Sequence, residues 1–118
     1  MVKLERIAEA ALSGDALGVR SLVQDWIAES PNLHEVTKPE TDDVKVLAVA
    51  ASLLELLAER AGSKPPLWTS LIAPLIEPLF LVSAAKTMPR MRALCEQATP
   101  APLRKRGIFA PPNYLVFV

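Results

Sequence analysis

Two residue types that could supply nucleophilic or metal chemistry occur once each in this chain, as Cys95 and His34. Thiol catalysis needs a base beside the sulfur, but His34 lies in a polar stretch, whereas Cys95 follows Met91 by about one helical turn. We therefore expect Cys95 to be a small core residue and His34 to be solvated. One cysteine and one histidine cannot form an intrachain Cys/His zinc site, and we predict no cofactor.

A pair of carboxylates, Glu55 and Glu59, is spaced by one helical turn. Two carboxylates at this spacing could share a proton or bind a metal ion. A solvated strip on an otherwise buried helix explains the pair equally well, because ionised side chains are rarely buried. The solvated strip is our expectation.

A third carboxylate, Glu77, stands between two prolines in apolar surroundings. If it is buried, it needs a cationic or backbone N–H partner, so we expect a structural ion pair. A small enzyme that uses Glu77 with Arg90 or Arg92 is an alternative, but no nucleophile or base accompanies these residues.

Basic residues gather before the C-terminal segment: Lys86, Arg90, Arg92, Arg104, Lys105 and Arg106. Such a cluster could bind phosphate groups. No glycine-rich phosphate loop accompanies it, and a solvated basic face is the competing interpretation.

The last residues, 107–118, end in five consecutive apolar or aromatic residues after Pro-Pro-Asn. In water this run would favour strand pairing and aggregation. It must therefore dock on its own domain, pair in an oligomer, or bind a partner. For partner binding we select nine candidate residues: Arg104, Lys105, Arg106, Phe109, Pro111, Pro112, Tyr114, Leu115 and Phe117. A strand or strap that closes the chain's own core is the equal alternative.

Composition restricts the class of protein. At 118 residues, with 51% hydrophobic and 22% charged residues, the chain is long enough for one folded domain. A single cysteine suits a reducing cytoplasm, and no basic-plus-apolar leader precedes the first helical pattern. Net charge is zero, with −4 in residues 1–64 (7 basic, 11 acidic) and +4 in 65–118 (6 basic, 2 acidic). This balance falls short of a dedicated nucleic-acid binder.

The longest apolar stretch, Leu67 to Ala85, could suggest a membrane span. It contains Glu77 and two prolines. A charge at the centre of a spanning helix costs roughly 2.5–3.5 kcal/mol. We therefore expect this stretch to be buried in protein and predict no membrane association.

Periodicity in the first half predicts helices. Apolar residues recur at helical spacing over 2–12 and 16–28, which predicts a helical hairpin. Residues 29–40 are polar and contain two prolines, which predicts an exposed loop. Thr41 is then the expected N-cap of a long helix, with Asp42 and Asp43 in its first turn. Gly62 should end it, and because Val44 to Leu57 are apolar nearly all round, the helix should be central.

Prolines limit the second half to short segments. We expect helical turns near Trp68 to Ile76, a short helix over Pro78 to Thr87, a helix over Pro89 to Gln97, and a turn over Pro100 to Lys105. The predicted fold is all-α: a single-domain helical bundle over 1–106, followed by an extended apolar tail over 107–118.

Three segments also carry a resemblance: Leu47–Gly62, Glu77–Val82 and Ile108–Leu115. Together they resemble small uncharacterised bacterial proteins encoded beside nucleotidyltransferase-like proteins in a toxin–antitoxin arrangement. The resemblance implies a non-catalytic partner subunit and assigns no active residue.

These observations predict a cytoplasmic, non-catalytic protein-binding module, antitoxin-like in the form that the resemblance implies. Its partner would be another protein or a second copy of the chain. The alternative is a nucleic-acid-associated regulator that uses the basic cluster, for which binding should weaken steeply with salt.

Overall fold

Helices dominate the computed structural model of the chain, which describes residues 2–29 and 31–116. Short 3₁₀ turns and two two-residue strands connect and close the helices. In chain order the elements are α1 (Leu4–Leu12), α2 (Ala16–Ala28), a 3₁₀ turn (Leu33–Glu35), α3 (Val44–Arg60), a 3₁₀ turn (Leu67–Leu71), β1 (Leu79–Phe80), a 3₁₀ turn (Ser83–Lys86), α4 (Pro89–Ala98), α5 (Ala101–Arg104) and β2 (Ile108–Phe109).

The predicted N-terminal hairpin is confirmed, since α1 and α2 pack against each other. Asp15 begins α2, where its carboxylate accepts a hydrogen bond from the Gly18 backbone N–H at 2.8 Å. A Cβ at Gly18 would lie 2.2 Å from the Asp15 carboxylate. Because Gly18 has no Cβ, the Asp15 side chain can fold over the first turn of α2 and cap it.

Helix α3 is central, as its all-round apolar sequence predicts. It contacts α1, α5 and the two 3₁₀ turns at 33–35 and 67–71, and most of its side chains from Val46 to Ala58 are buried. The predicted N-cap is wrong by two residues. Asp43 caps the helix by accepting from the Lys45 and Val46 N–H groups, while the Thr41 hydroxyl accepts from the Asp43 N–H.

The predicted helix over Pro78 to Thr87 is wrong. Leu79 and Phe80 form β1, which pairs in parallel with Ile108 and Phe109 of β2, and only Ser83–Lys86 is helical, as a 3₁₀ turn. Hydrogen bonds to the backbone of 107–109 hold Leu79 and Phe80 extended, so long-range pairing overrides the local helical pattern.

The other predictions for this half are confirmed by helical segments: α4 (Pro89–Ala98) matches the helix predicted over Pro89 to Gln97, and α5 (Ala101–Arg104) matches the turn predicted over Pro100 to Lys105. Of the turns predicted near Trp68 to Ile76, the 3₁₀ turn Leu67–Leu71 forms and the residues after it are irregular.

The C-terminal strap, which we define as residues 107–116, lies on the domain's own core. Ile108, Ala110 and Leu115 are buried in the same apolar cluster as α1 and α3. The Arg60 guanidinium donates hydrogen bonds to the carbonyl oxygens of Tyr114 and Pro112. The tail was predicted either to anchor a partner or to close the chain's own core, and residues 107–116 close the core. Phe117 and Val118 lie outside the described residues.

The apolar stretch 67–85, weighed above as a membrane span, is divided among two 3₁₀ turns, β1 and irregular backbone. Within 2–29 and 31–116, no helix has the length and apolar character that crossing a bilayer requires.

Candidate functional site

An apolar groove opens on the surface where the start of α3 meets the irregular segment 71–79. It encloses about 490 Å³ and is lined by Val44, Lys45 and Leu47 on one side and by residues 71–79 on the other. A groove of this volume is within the usual size for a binding site. We call this surface the apolar groove.

Aliphatic side chains on the groove are unusually exposed. Ile76 is 102% exposed, Leu71 82% and Val44 67%, and the neighbouring Leu67 is 83% exposed. Each square ångström of apolar surface left in water forgoes about 25 cal/mol of burial free energy. Single exposed leucines are ordinary, whereas several around one concavity are an uncommon arrangement on a protein surface.

Backbone hydrogen bonds to Arg106 and to the first residue of the strap hold the outer wall of the groove. The Leu75 N–H donates to the Arg106 carbonyl and the Leu79 N–H donates to the Gly107 carbonyl, each at 2.9 Å. Gly107 has a φ of +76°, and a Cβ there would lie 3.6 Å from the Leu75 carbonyl oxygen. Between these two anchors the chain bulges outward, which places Ile76 in water.

The side chain of Arg106 supports the same wall from inside the molecule. Its guanidinium is buried and donates to the carbonyl oxygens of Thr69 and Ile72, which precede and follow Leu71. It also forms a two-pronged pair with the Glu55 carboxylate, with Nη2 to Oε2 at 3.2 Å. A planar guanidinium suits this role because its several donors diverge in fixed directions.

Glu55 is therefore not part of a solvated strip, and this prediction is wrong. Its carboxylate is buried beneath Arg106, while Glu59 one turn later is exposed. Burial alone would raise the pKa of Glu55, but hydrogen bonds from Arg106 and from Lys105, whose Nζ lies 2.9 Å away, lower the pKa below its ordinary value. Glu55 is thus an ionised structural group and does not share a proton with Glu59.

The expected ion pair of Glu77 is also wrong. Glu77 lies exposed on the rim of the apolar groove, and over 2–29 and 31–116 it forms no ion pair with Arg90, Arg92 or any other cation. Its flanking prolines form an outward bend instead of a buried helix. Lys45, on the opposite wall, is exposed and likewise unpaired among the described residues.

The structure divides the basic cluster instead of presenting it as one patch. Arg106 is buried, Lys105 binds Glu55, and Arg92 pairs with Glu96 at 3.0 Å. Arg104 is exposed and donates to the Glu96 carbonyl oxygen. The exposed remainder of the cluster is Lys86 and Arg90, for which the described residues supply no ion pair.

The strap residues selected as partner anchors differ in their surroundings. Leu115 is buried, and burial raises the pKa of Tyr114 to about 12. Phe109 is half-buried and stacks on Phe80 with ring centroids 5.1 Å apart. Pro112 is exposed and Pro111 is half-buried. Phe117, the ninth candidate, lies outside the described residues.

Cys95 and His34 lie where the sequence predicted them. Cys95 is buried, as predicted, and burial together with the neighbouring Glu96 charge raises the pKa of its thiol, which suppresses the thiolate. His34 is exposed, as predicted. Over the described ranges, no three histidine, cysteine or carboxylate side chains gather in a way that could hold a metal ion.

Sequence reasoning missed the apolar groove because segment 71–79 is apolar and was therefore expected to be buried. It missed Arg106 because arginine is mostly a surface residue. A signal for the second was present: a carboxylate on a helix that is apolar nearly all round, Glu55 on α3, requires a buried cation from elsewhere in the chain.

Comparison with known proteins adds no family to this geometry: no family model matches the chain, and no match was found among curated proteins or solved structures.

Proposed function

We propose that the chain is a non-catalytic protein-binding module and that the apolar groove is its contact surface. One observation carries the proposal: aliphatic side chains exposed by two-thirds or more surround a concavity of about 490 Å³. Burying such a surface against a partner is favourable in proportion to the apolar area removed from water.

A protein fits this surface better than a small molecule does. Ile76 projects from the wall and is fully exposed, so a ligand seated inside the groove would leave much of it in water. A protein surface can cover both the concavity and its projecting rim. Small-molecule sites also converge several polar groups on the ligand, whereas the charged groups here, Lys45 and Glu77, stand on the groove's walls.

The groove replaces the strap as the main contact surface because the described strap residues already have a partner in their own core. The antitoxin-like role in a bacterial two-gene system and the cytoplasmic location stay predictions from the sequence. The alternative role as a nucleic-acid regulator has less support, because three of the six basic side chains form ion pairs within the chain.

A photocrosslinking amino acid placed at Leu71 in the full chain, in cells that produce it, tests the proposal. We expect a protein adduct that disappears when Ile76→Glu is added to the same chain, because a carboxylate on the rim opposes burial. The matched control is the same crosslinker at Leu17, an equally exposed leucine on α2 outside the groove (79% against 82%). Adducts of equal yield from both positions, or none from Leu71, would remove the groove from the proposal.

A further inference from the structure

We infer that the occupant of the apolar groove is the same groove on a second copy of this chain, related by two-fold symmetry. This inference rests on the proposed function, since it names the partner for that same surface. Two-fold interfaces are the commonest in soluble oligomers and join one patch to itself. Such a patch must be complementary to its own rotated image.

The shape of the groove suits such self-complementary pairing. Segment 71–79 supplies both a wall of the concavity and a fully exposed projecting side chain, Ile76. One patch therefore offers a knob and a hole side by side. When the patch is rotated onto itself, each knob faces the hole of the other copy.

The charges on the groove walls suit self-complementary pairing as well. The walls carry one cation, Lys45, and one anion, Glu77, both exposed and neither paired among the residues that the structure describes. In a two-fold interface, residue i contacts residue j of the other copy and the reverse. Lys45 of each copy then faces Glu77 of the other, so both charges are satisfied at once. A partner chosen for only one of these charges would leave the other opposed by nothing.

The whole chain adds no obstacle to self-association. Its net charge is zero, so two copies do not repel each other at neutral pH. The groove wall is also fixed before binding. The Leu75 and Leu79 N–H groups donate to the carbonyl oxygens of Arg106 and Gly107, and the carbonyl oxygens of Thr69 and Ile72 accept from the buried Arg106 guanidinium. A wall that is already ordered loses little conformational freedom on association.

Sedimentation of the purified full chain, from micromolar to near-millimolar concentration, tests the inference. We expect a reversible monomer–dimer equilibrium. Ile76→Glu should raise the dimer dissociation constant by at least about 30-fold, as for a central interface residue. The control Leu17→Glu should change the dissociation constant by less than about twofold, because Leu17 lies outside the groove and does not interact with it. Circular dichroism checks that both variants stay folded, which their exposure predicts.

Charge exchange makes the test specific for two-fold pairing. Lys45→Glu alone and Glu77→Lys alone each place like charges against each other twice, so each should weaken the dimer. An equimolar mixture of the two single variants should restore it, because the mixed dimer has opposite charges at both contacts. The double variant K45E/E77K should also dimerise.

Several results would overturn the inference. These are a monomer throughout the concentration range, a dimer indifferent to Ile76→Glu, a mixture that fails to restore association, or assemblies that grow beyond the dimer as a head-to-tail contact would. The crosslink at Leu71 separates the two proposals. An adduct with twice the mass of the chain supports both the protein-binding role of the groove and the two-fold dimer. An adduct with a different protein overturns only the inference that the partner is a second copy, and the absence of any adduct overturns both.

Discussion

The buried side chain of Arg106 connects α3 to the segment 69–72 in the second half of the chain. Its guanidinium joins Glu55 on α3 to the backbone of the turn at 67–71, while its own carbonyl oxygen accepts from Leu75. A buried ion pair is weak proof of stability in itself, but removing one partner leaves an uncompensated charge in the interior. Arg106 was selected from the sequence as a partner-binding residue, and the structure instead gives it contacts within the chain.

We therefore expect Arg106→Ala to lower the free energy of unfolding by about 3 kcal/mol, the lower end for a broken buried pair because Lys105 still reaches Glu55. Urea unfolding measures the change. The control Arg104→Ala, an exposed neighbour that loses one surface hydrogen bond to the Glu96 carbonyl oxygen, should cost about 1 kcal/mol or less. Arg106→Lys should fall between the two, since it keeps the charge but loses the fork. Equal costs at positions 104 and 106 would contradict the buried role.

Tyr114 provides a second prediction, based on pH. It is the only tyrosine, so its ionisation can be followed by ultraviolet absorbance. Burial raises the pKa of Tyr114 to about 12 from an ordinary value of 10.0. Because burial opposes ionisation of the phenol only in the folded state, the free energy of unfolding falls as pH rises from the unfolded pKa of 10.0 towards the folded pKa of about 12. We expect titration near pH 12 in buffer and near 10 in concentrated urea. Titration at the same pH in both would show that the strap is undocked.

At the scale of elements, the strap packs against α3, a contact that neither segment's sequence predicts. Leu115 is 8% exposed and lies in the core cluster, held by the hydrogen bond from Arg60 to the preceding carbonyl. Burial also lowers the pKa of Arg60. The strap is therefore an element of the domain even though it contains only two residues of strand.

We expect Leu115→Ala to lower the free energy of unfolding by about 2–3 kcal/mol, within the range for a buried leucine. The adjacent Val116, which is 50% exposed, provides a matched control, and Val116→Ala should cost about 0.5 kcal/mol or less. Urea denaturation of both variants measures the difference. Equal stability of the Leu115→Ala variant and the unaltered chain would mean that the strap contributes nothing to the core.

The helices were predictable because each repeats apolar residues over two or more turns. This holds for α1, α2 and α3, and proline at a first helical position marked α4. The strands were not predictable. Two residues contain no alternation to recognise, and β1 exists because β2, far along the chain, supplies its hydrogen bonds. The exposed groove was equally hidden, since an apolar segment indicates burial without naming the surface that covers it.

At the scale of the whole molecule, the opposite charges of the two halves meet inside the fold. Glu55 belongs to the acidic half, and Lys105 and Arg106 belong to the basic half. A single core also joins them, because α1, α3 and the strap share one apolar cluster. The chain should therefore unfold as one unit.

The two tryptophans allow a test of this cooperativity. Trp26 lies on α2, and Trp68 lies in the turn at 67–71 with its indole N–H donating to the Val36 carbonyl at 2.8 Å. In each single-tryptophan variant, Trp26→Phe and Trp68→Phe, we expect fluorescence and far-ultraviolet circular dichroism to give the same urea midpoint. A fluorescence midpoint from Trp68 well below that of circular dichroism would show that the second half unfolds separately.

The ion pair of Glu55 with Arg106 spans fifty-one positions of the chain, and this has a consequence for biosynthesis. The ribosome synthesises α3 before it makes Arg106, the cation that neutralises the buried carboxylate of α3. Until then, the nascent helix has an apolar surface without its strap and a charge without its partner. Because segments exposed in this way are prone to aggregate, we expect nascent chains that stop short of residue 106 to need chaperone protection, and chains that extend past the strap to fold only after residues 106–116 have emerged.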